Sequence, residues 1–151
     1  MQRIVLMALA VALASGSSGS PVHAQAGPEA AAERSGYRFS GTKGLLVFHV
    51  HADRAGDFED VVSHIARGLA TTMDPVRRQQ AAGWRVFRSG DAAASAVYVV
   101  SFDPVVPGAD YDPVKMLTEL APDAAQALYE RLKAAVIRVE RLDLRQISPE
   151  P

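Results

Sequence analysis

From residue 44 onward, apolar and polar positions alternate in blocks of different period. In GLLVFHVH (44–51), Leu46, Phe48 and Val50 fall on one side and Leu45, Val47, His49 and His51 on the other. This predicts a short β-strand with its purely apolar side turned to helices. The period then becomes helical: Phe58, Val61, Val62, Ile65 and Leu69 recur on one face. Glu59, Asp60, Ser63, His64 and Arg67 fall on the opposite, wet face, and Asp53 or Asp57 is the predicted cap. Asp74-Pro75 opens a short second helix, VRRQQAA, which Gly83 is expected to close.

WRVFRS (84–89) and the β-branched SAVYVVSF (95–102) read as two strands of a hairpin. A loop with three prolines, DPVVPGADYDP, follows them. Asp112-Pro113 repeats the cap signal before VKMLTEL, and after Pro122 the run DAAQALYERLKAAVIRV is predicted to be the longest helix. LDLRQI (142–147) is the expected last strand. The apolar residues between Val136 and Leu142 fit helix and strand about equally. DPVR (74–77) and DPVK (112–115) are two uses of one cap, not an internal repeat.

The resulting order is β-α-β-β-α-β with extra short helices. It predicts an α+β, ferredoxin-like domain over 44–148: an antiparallel four-stranded sheet with helices on one face. Val97 and Val99 alternate with Tyr98, Val100 and Phe102, so this strand is apolar on both sides. Leu45 and Val47 make the first strand so as well. One helical layer leaves such a side wet, and each buried side chain is worth about 1.5–3 kcal/mol. A homodimer is therefore expected.

The first 43 residues carry no such pattern. Arg3, the run Ile4–Ala14 and the small-residue segment SGSSGSPVHAQA have the layout of a secretory signal peptide, residues 1–24, cut near 24–26. Eleven apolar residues are too few to span a core roughly 30 Å thick, so no membrane anchor is expected after signal removal. Residues 25–43 read as a flexible leader in which Tyr37 and Phe39 could dock locally. The chain has no cysteine, hence no disulfide and no lipobox. The expected location is periplasmic or secreted. A net charge of −1 argues against nucleic acid as a partner.

His49 and His51 are the first candidates for catalysis. At i and i+2 their side chains share a side, roughly 6.5–7 Å apart. They suit a general acid or base at the mouth of a pocket, or they are polar residues on a rim. No HExxH, cysteine or carboxylate cluster accompanies them, so no metal is expected. Trp84, Tyr98 and Phe102 either wall an apolar ligand site or belong to core or interface. Arg77, with Arg78, Gln79 and Gln80, either recognises a carboxylate or lies on an exposed helix. Asp110, Tyr111 and Asp112 could offer oxygen ligands, and His64 is expected in solvent. No P-loop, G-x-G-x-x-G or G-x-S-x-G is present, and no cofactor is expected.

In element order and two-faced apolar strands, residues 44–147 resemble the dimeric α+β barrel superfamily. It includes antibiotic-biosynthesis-type and haem-degrading monooxygenases, stress-responsive A/B barrel proteins and polyketide cyclases. GLLVFHVHAD, DPVRRQQAAGW and GADYDPVK are also similar to segments of small exported bacterial proteins of unassigned function. The resemblance implies two sheets closed face to face around a small apolar or aromatic molecule. The alternatives are a cofactor-independent monooxygenase- or cyclase-like enzyme using a strand-one histidine as base, and a non-catalytic interaction module. Relatives that use such a histidine carry it near the start of the strand; here both lie near its end.

Overall fold

The computed structural model describes residues 36–89 and 95–148. Strand β1 (Lys43–His51) leads through a short 3-10 turn, Ala52–Arg54, into helix α1 (Ala55–Thr71). Helix α2 (Pro75–Gly83) runs directly into β2 (Trp84–Arg88), and β3 (Ser95–Phe102) follows. Helices α3 (Pro113–Leu120) and α4 (Ala125–Ala135), joined through a second 3-10 turn, precede β4 (Val136–Leu144). The four strands form one antiparallel sheet in the order β2-β3-β1-β4. This is an α+β fold with four helices, compatible with the ferredoxin-like expectation.

The alternation along β1 and β3 sorts their side chains by burial. Leu46, Phe48, Val50, Tyr98, Val100 and Phe102 are all buried, and the residues between them are only partly so. The buried set joins Phe58, Val61, Ile65 and Leu69 of α1, Met116 and Leu117 of α3, and Leu128, Leu132 and Ala135 of α4 in one core. Aromatic rings lock the layers together. Phe58 lies 5.0 Å from Phe48 and 4.7 Å from Tyr98, and Phe102 lies 4.2 Å from Tyr111. Phe39, just before β1, is buried too and packs on Phe102 at 5.2 Å. Residues 25–35 of the expected leader lie outside the described residues, as does the expected signal segment.

Both Asp-Pro signals act as caps. Asp74 Oδ1 accepts from the Arg77 N–H at 2.8 Å, and Asp112 Oδ1 accepts from the Val114 N–H at 2.8 Å. The cap expected on α1 is absent. Neither Asp53 nor Asp57 accepts a capping bond, because the 3-10 turn moves the helix start to Ala55 with Arg54 at its N-cap. Asp57 instead faces Arg54 at 3.2 Å within the first turn.

Gly83 ends α2 as expected. A Cβ there would sit 2.5 Å from the Pro104 carbonyl oxygen, and the Asp103 N–H donates to the Gly83 oxygen at 3.0 Å. Close backbone approach demands glycine there.

The C-terminal end departs most from the sequence reading. The longest helix is α1, with 17 residues; α4 has 11. The chain leaves α4 at Ala135, and β4 takes all of Val136–Leu144, so the last strand starts before residue 142 and stops before 145. Pairing decided the ambiguous stretch: Val139 faces Phe48 and Leu142 faces Leu45 across the ladder. β-branched Val136, Ile137 and Val139 suit that strand.

Candidate functional site

Cross-strand partners in a ladder point to the same side of the sheet. The register therefore defines the side away from the helices. It carries Leu45, Val47, His49 and His51 of β1, with Ser95, Val97, Val99 and Ser101 of β3 opposite them. Arg85 and Phe87 join from β2, and Arg138, Glu140, Leu142 and Leu144 from β4. The middle of this side is an apolar strip of Phe87, Val99, Val97, Val47, Leu45 and Leu142. Its central valines are only half-buried, and Phe87 is 56% exposed. No described element lies over it.

His49 stands at one end of the strip, between Val97 and Arg138. Its Nε2 is 3.4 Å from Glu140 Oε1, and its Nδ1 is 3.5 Å from Arg138 Nη2. Arg138 also pairs with Glu140. Both imidazole nitrogens thus face charged partners on β4, as a positioned acid–base group or a structural cross-strand pair would. His51 is exposed, opposite Ser95, past the irregularity that breaks the β1–β4 register between His49 and Val50. The two histidines share a side as the alternation predicts. Among the described residues no three His, Cys, Asp or Glu are grouped to hold a metal ion.

The three candidate ligand-binding aromatics lie on the other side. Tyr98 and Phe102 are 2% and 1% exposed in the core, and Trp84 packs edge-on against Phe102 at 5.5 Å. The space beside Trp84, Phe58, Val100 and Tyr111 amounts to about 10 Å³. That is room for about one water. Ligand sites run to about 300–1,000 Å³. These rings are packed core and share no cavity with His49 or His51. Trp84 Nε1 is buried there without a hydrogen-bond partner. Tyr98 reaches outward through its hydroxyl, which donates to Glu59 Oε1 at 2.5 Å, and Arg88 holds the same carboxylate at 3.1 Å. Burial, then the bond to Glu59 and its charge, push the Tyr98 hydroxyl up to about 12 against the opposing pull of Arg88.

Arg77 is buried, not displayed. Its Nε donates to Glu119 Oε2 at 2.8 Å, and its Nη1 to Gln80 Oε1 and the Asp110 carbonyl, both at 2.7 Å. Gln80 Nε2 donates to the same carbonyl at 3.1 Å. This network ties α2 to α3 and to the proline-containing loop. The oxygens of that loop serve similar ends. Asp110 Oδ1 accepts from the Asp112 N–H at 3.0 Å, and the Tyr111 hydroxyl accepts from the Val106 N–H at 2.8 Å. His64 is half-buried, with Nδ1 2.9 Å from the Asp60 carbonyl oxygen on its own helix.

On the helix side of β4 an open groove of about 470 Å³ lies between Tyr37, Leu46, Asp112, Val139 and Arg141. Its polar groups have partners: Asp112 caps α3, and Arg141 pairs with Asp143 at 3.3 Å and donates to the Arg38 carbonyl. Burial, then the nearby Asp112 carboxylate, raises the Tyr37 hydroxyl above its usual range.

The sequence reading overlooked Phe87, Arg138 and Glu140. Phe87 was legible in its alternation with Trp84 and Val86. Arg138 and Glu140 were not, because they meet His49 only through the β1–β4 register. No family model, no curated protein and no solved structure matches this chain.

Proposed function

We propose that this is an exported protein whose two copies close face to face over the helix-free side of the sheet, enclosing a small apolar or aromatic molecule in a dimeric, ferredoxin-like α+β barrel. The observation that carries this reading is the strip Phe87–Val99–Val97–Val47–Leu45–Leu142, apolar yet half-wet. Counted from its other edge the sheet runs β4-β1-β3-β2, which puts the two strands that are apolar on both sides at its centre. Four strands of such length, spaced about 4.8 Å apart, present a footprint of roughly 500–600 Å². Two copies then remove at least about 1,000–1,200 Å² from water, the lower end of what stable interfaces bury. The run Ile4–Ala14 supports export.

Sedimentation equilibrium tests the assembly, with a dimer as the expected result. A monodisperse monomer at micromolar concentration overturns the reading. Native mass spectrometry of the dimer then reads any retained small molecule. N-terminal sequencing of the secreted form checks for a start near residue 25.

The His49–Glu140 pair favours a second reading, a cofactor-independent enzyme in which that histidine moves a proton. It predicts that His49→Ala abolishes turnover of the retained molecule. Unchanged turnover in both His49→Ala and His51→Ala removes it.

A further inference from the structure

The helix-free side has a surplus of positive charge around its apolar strip. Among the described strand residues three cations point there: Lys43, Arg85 and Arg138. Lys43 is answered by Asp103 at 3.0 Å, beyond the end of β3. Glu140 is the only carboxylate among the described strand residues on this side, and it is shared between Arg138 and His49. Arg85 meets no carboxylate among the described residues. Its Nη1 donates to the carbonyls of Ala82 and Trp84, at 3.2 and 2.7 Å. With both histidines counted as neutral, three cations face two carboxylates among the described residues of this side, while the whole chain is at −1. The helix-side acids Glu59, Asp60 and Glu119 are held by Arg88, Arg131 and Arg77 and lend nothing to this side.

A barrel formed from two such sides would double the surplus inside a low-dielectric chamber. There a lone cation costs more than in water and a matching anion is held more strongly. An uncharged guest would use the valines and Phe87 and leave the surplus unanswered. A guest with an apolar body and one carboxylate would answer both. Its body would lie along Leu45, Val47, Val97 and Val99, and its head would meet the guanidinium fork of Arg85, which matches carboxylate geometry.

We infer that the molecule taken by this side is an anionic amphiphile, a carboxylate on an apolar or aromatic body, with its carboxylate held by Arg85, whose charge no carboxylate among the described residues answers. The inference rests on the two-copy reading above and narrows it to a ligand class.

Isothermal titration of the purified protein with decanoate, 2-naphthoate and decanol tests the class. Decanoate or 2-naphthoate is expected to bind at least about tenfold more tightly than decanol, the worth of one charge-assisted hydrogen bond. Preference between the two acids separates a fatty-acid source from an aromatic one. Arg85→Gln should lower affinity for the preferred acid by about tenfold while decanol binding stays unchanged, and Arg138→Gln, whose charge Glu140 already answers, should lower it less. Arg67→Gln, on the wet face of α1, should change neither. Circular dichroism confirms that each variant is folded.

Equal affinity for decanoate and decanol, or acid binding indifferent to Arg85→Gln, overturns the inference. So does a dimer that binds none of the three probes, while leaving the assembly intact. A monomer by sedimentation overturns the assembly instead.

Discussion

The two sides of the one sheet are built from the same strands and almost the same residue types, yet they end in different states. Toward the helices, Phe48, Tyr98, Val100 and Phe102 are dry and ring-packed. Away from them, Val47, Val97 and Val99 stand half-wet beside His49 and Arg138. A single-residue offset decides which state a side chain meets. Apolar character alone therefore says little about role here. The helix side is finished, with room left for about one water, and the other side still has surface to bury.

This contrast can be broken by substitution, and the largest effect belongs to the helix side. Phe102→Ala removes a ring shared by Phe39, Trp84 and Tyr111, and should cost about 3–5 kcal/mol in urea denaturation. Arg77→Met comes next. It leaves Gln80 Oε1 and the Asp110 carbonyl short of donors beside a half-exposed Glu119, and should cost about 2 kcal/mol by the same measurement.

The Tyr98 hydroxyl sharpens the comparison by pH. Burial and the bond to Glu59 push its pKa up to about 12, above the ordinary tyrosine value of 10.0. A raised folded pKa means that its contribution to stability is whole below pH 10. That contribution is lost as the pH rises from about 10 to about 12, since the unfolded chain ionises first. Tyr98→Phe should flatten this alkaline fall in thermal midpoint. An unchanged alkaline slope would assign the loss to other groups.

The smallest effect on chain stability is expected on the open side. Phe87→Ser should change the unfolding free energy by less than about 1 kcal/mol, because the ring is already in water. The same substitution should weaken the proposed dimer in sedimentation. A large loss of chain stability with no change in assembly would erase the distinction between the two sides.

Much of the architecture was legible along the chain. The β1 and β3 alternation, the α1 stripe and both Asp-Pro caps depend on neighbours within a few residues, and all four stand in the structure. The errors fall where distant partners compete. Val136–Leu142 had strand-like and helix-like patterns at once, and pairing with β1 settled it as strand. Arg77 looked like a surface arginine because Glu119 and the Asp110 carbonyl, which bury it, are far away in the chain. Trp84, Tyr98 and Phe102 were recognisable as a group, but which side of the hairpin faced the helices decided between wall and core.

The local periods, the caps, the absence of disulfides and the two apolar sides of the central strands are written in the order of residues. Those follow from backbone geometry and side-chain chemistry acting over a turn or a pleat. Only the tertiary structure decided which apolar side was roofed, which arginines were buried, and that His49 meets Glu140 and Arg138. These are consequences of register between strands nearly ninety residues apart, and pairing at that range is selected by packing of the whole domain rather than by any short stretch of chain.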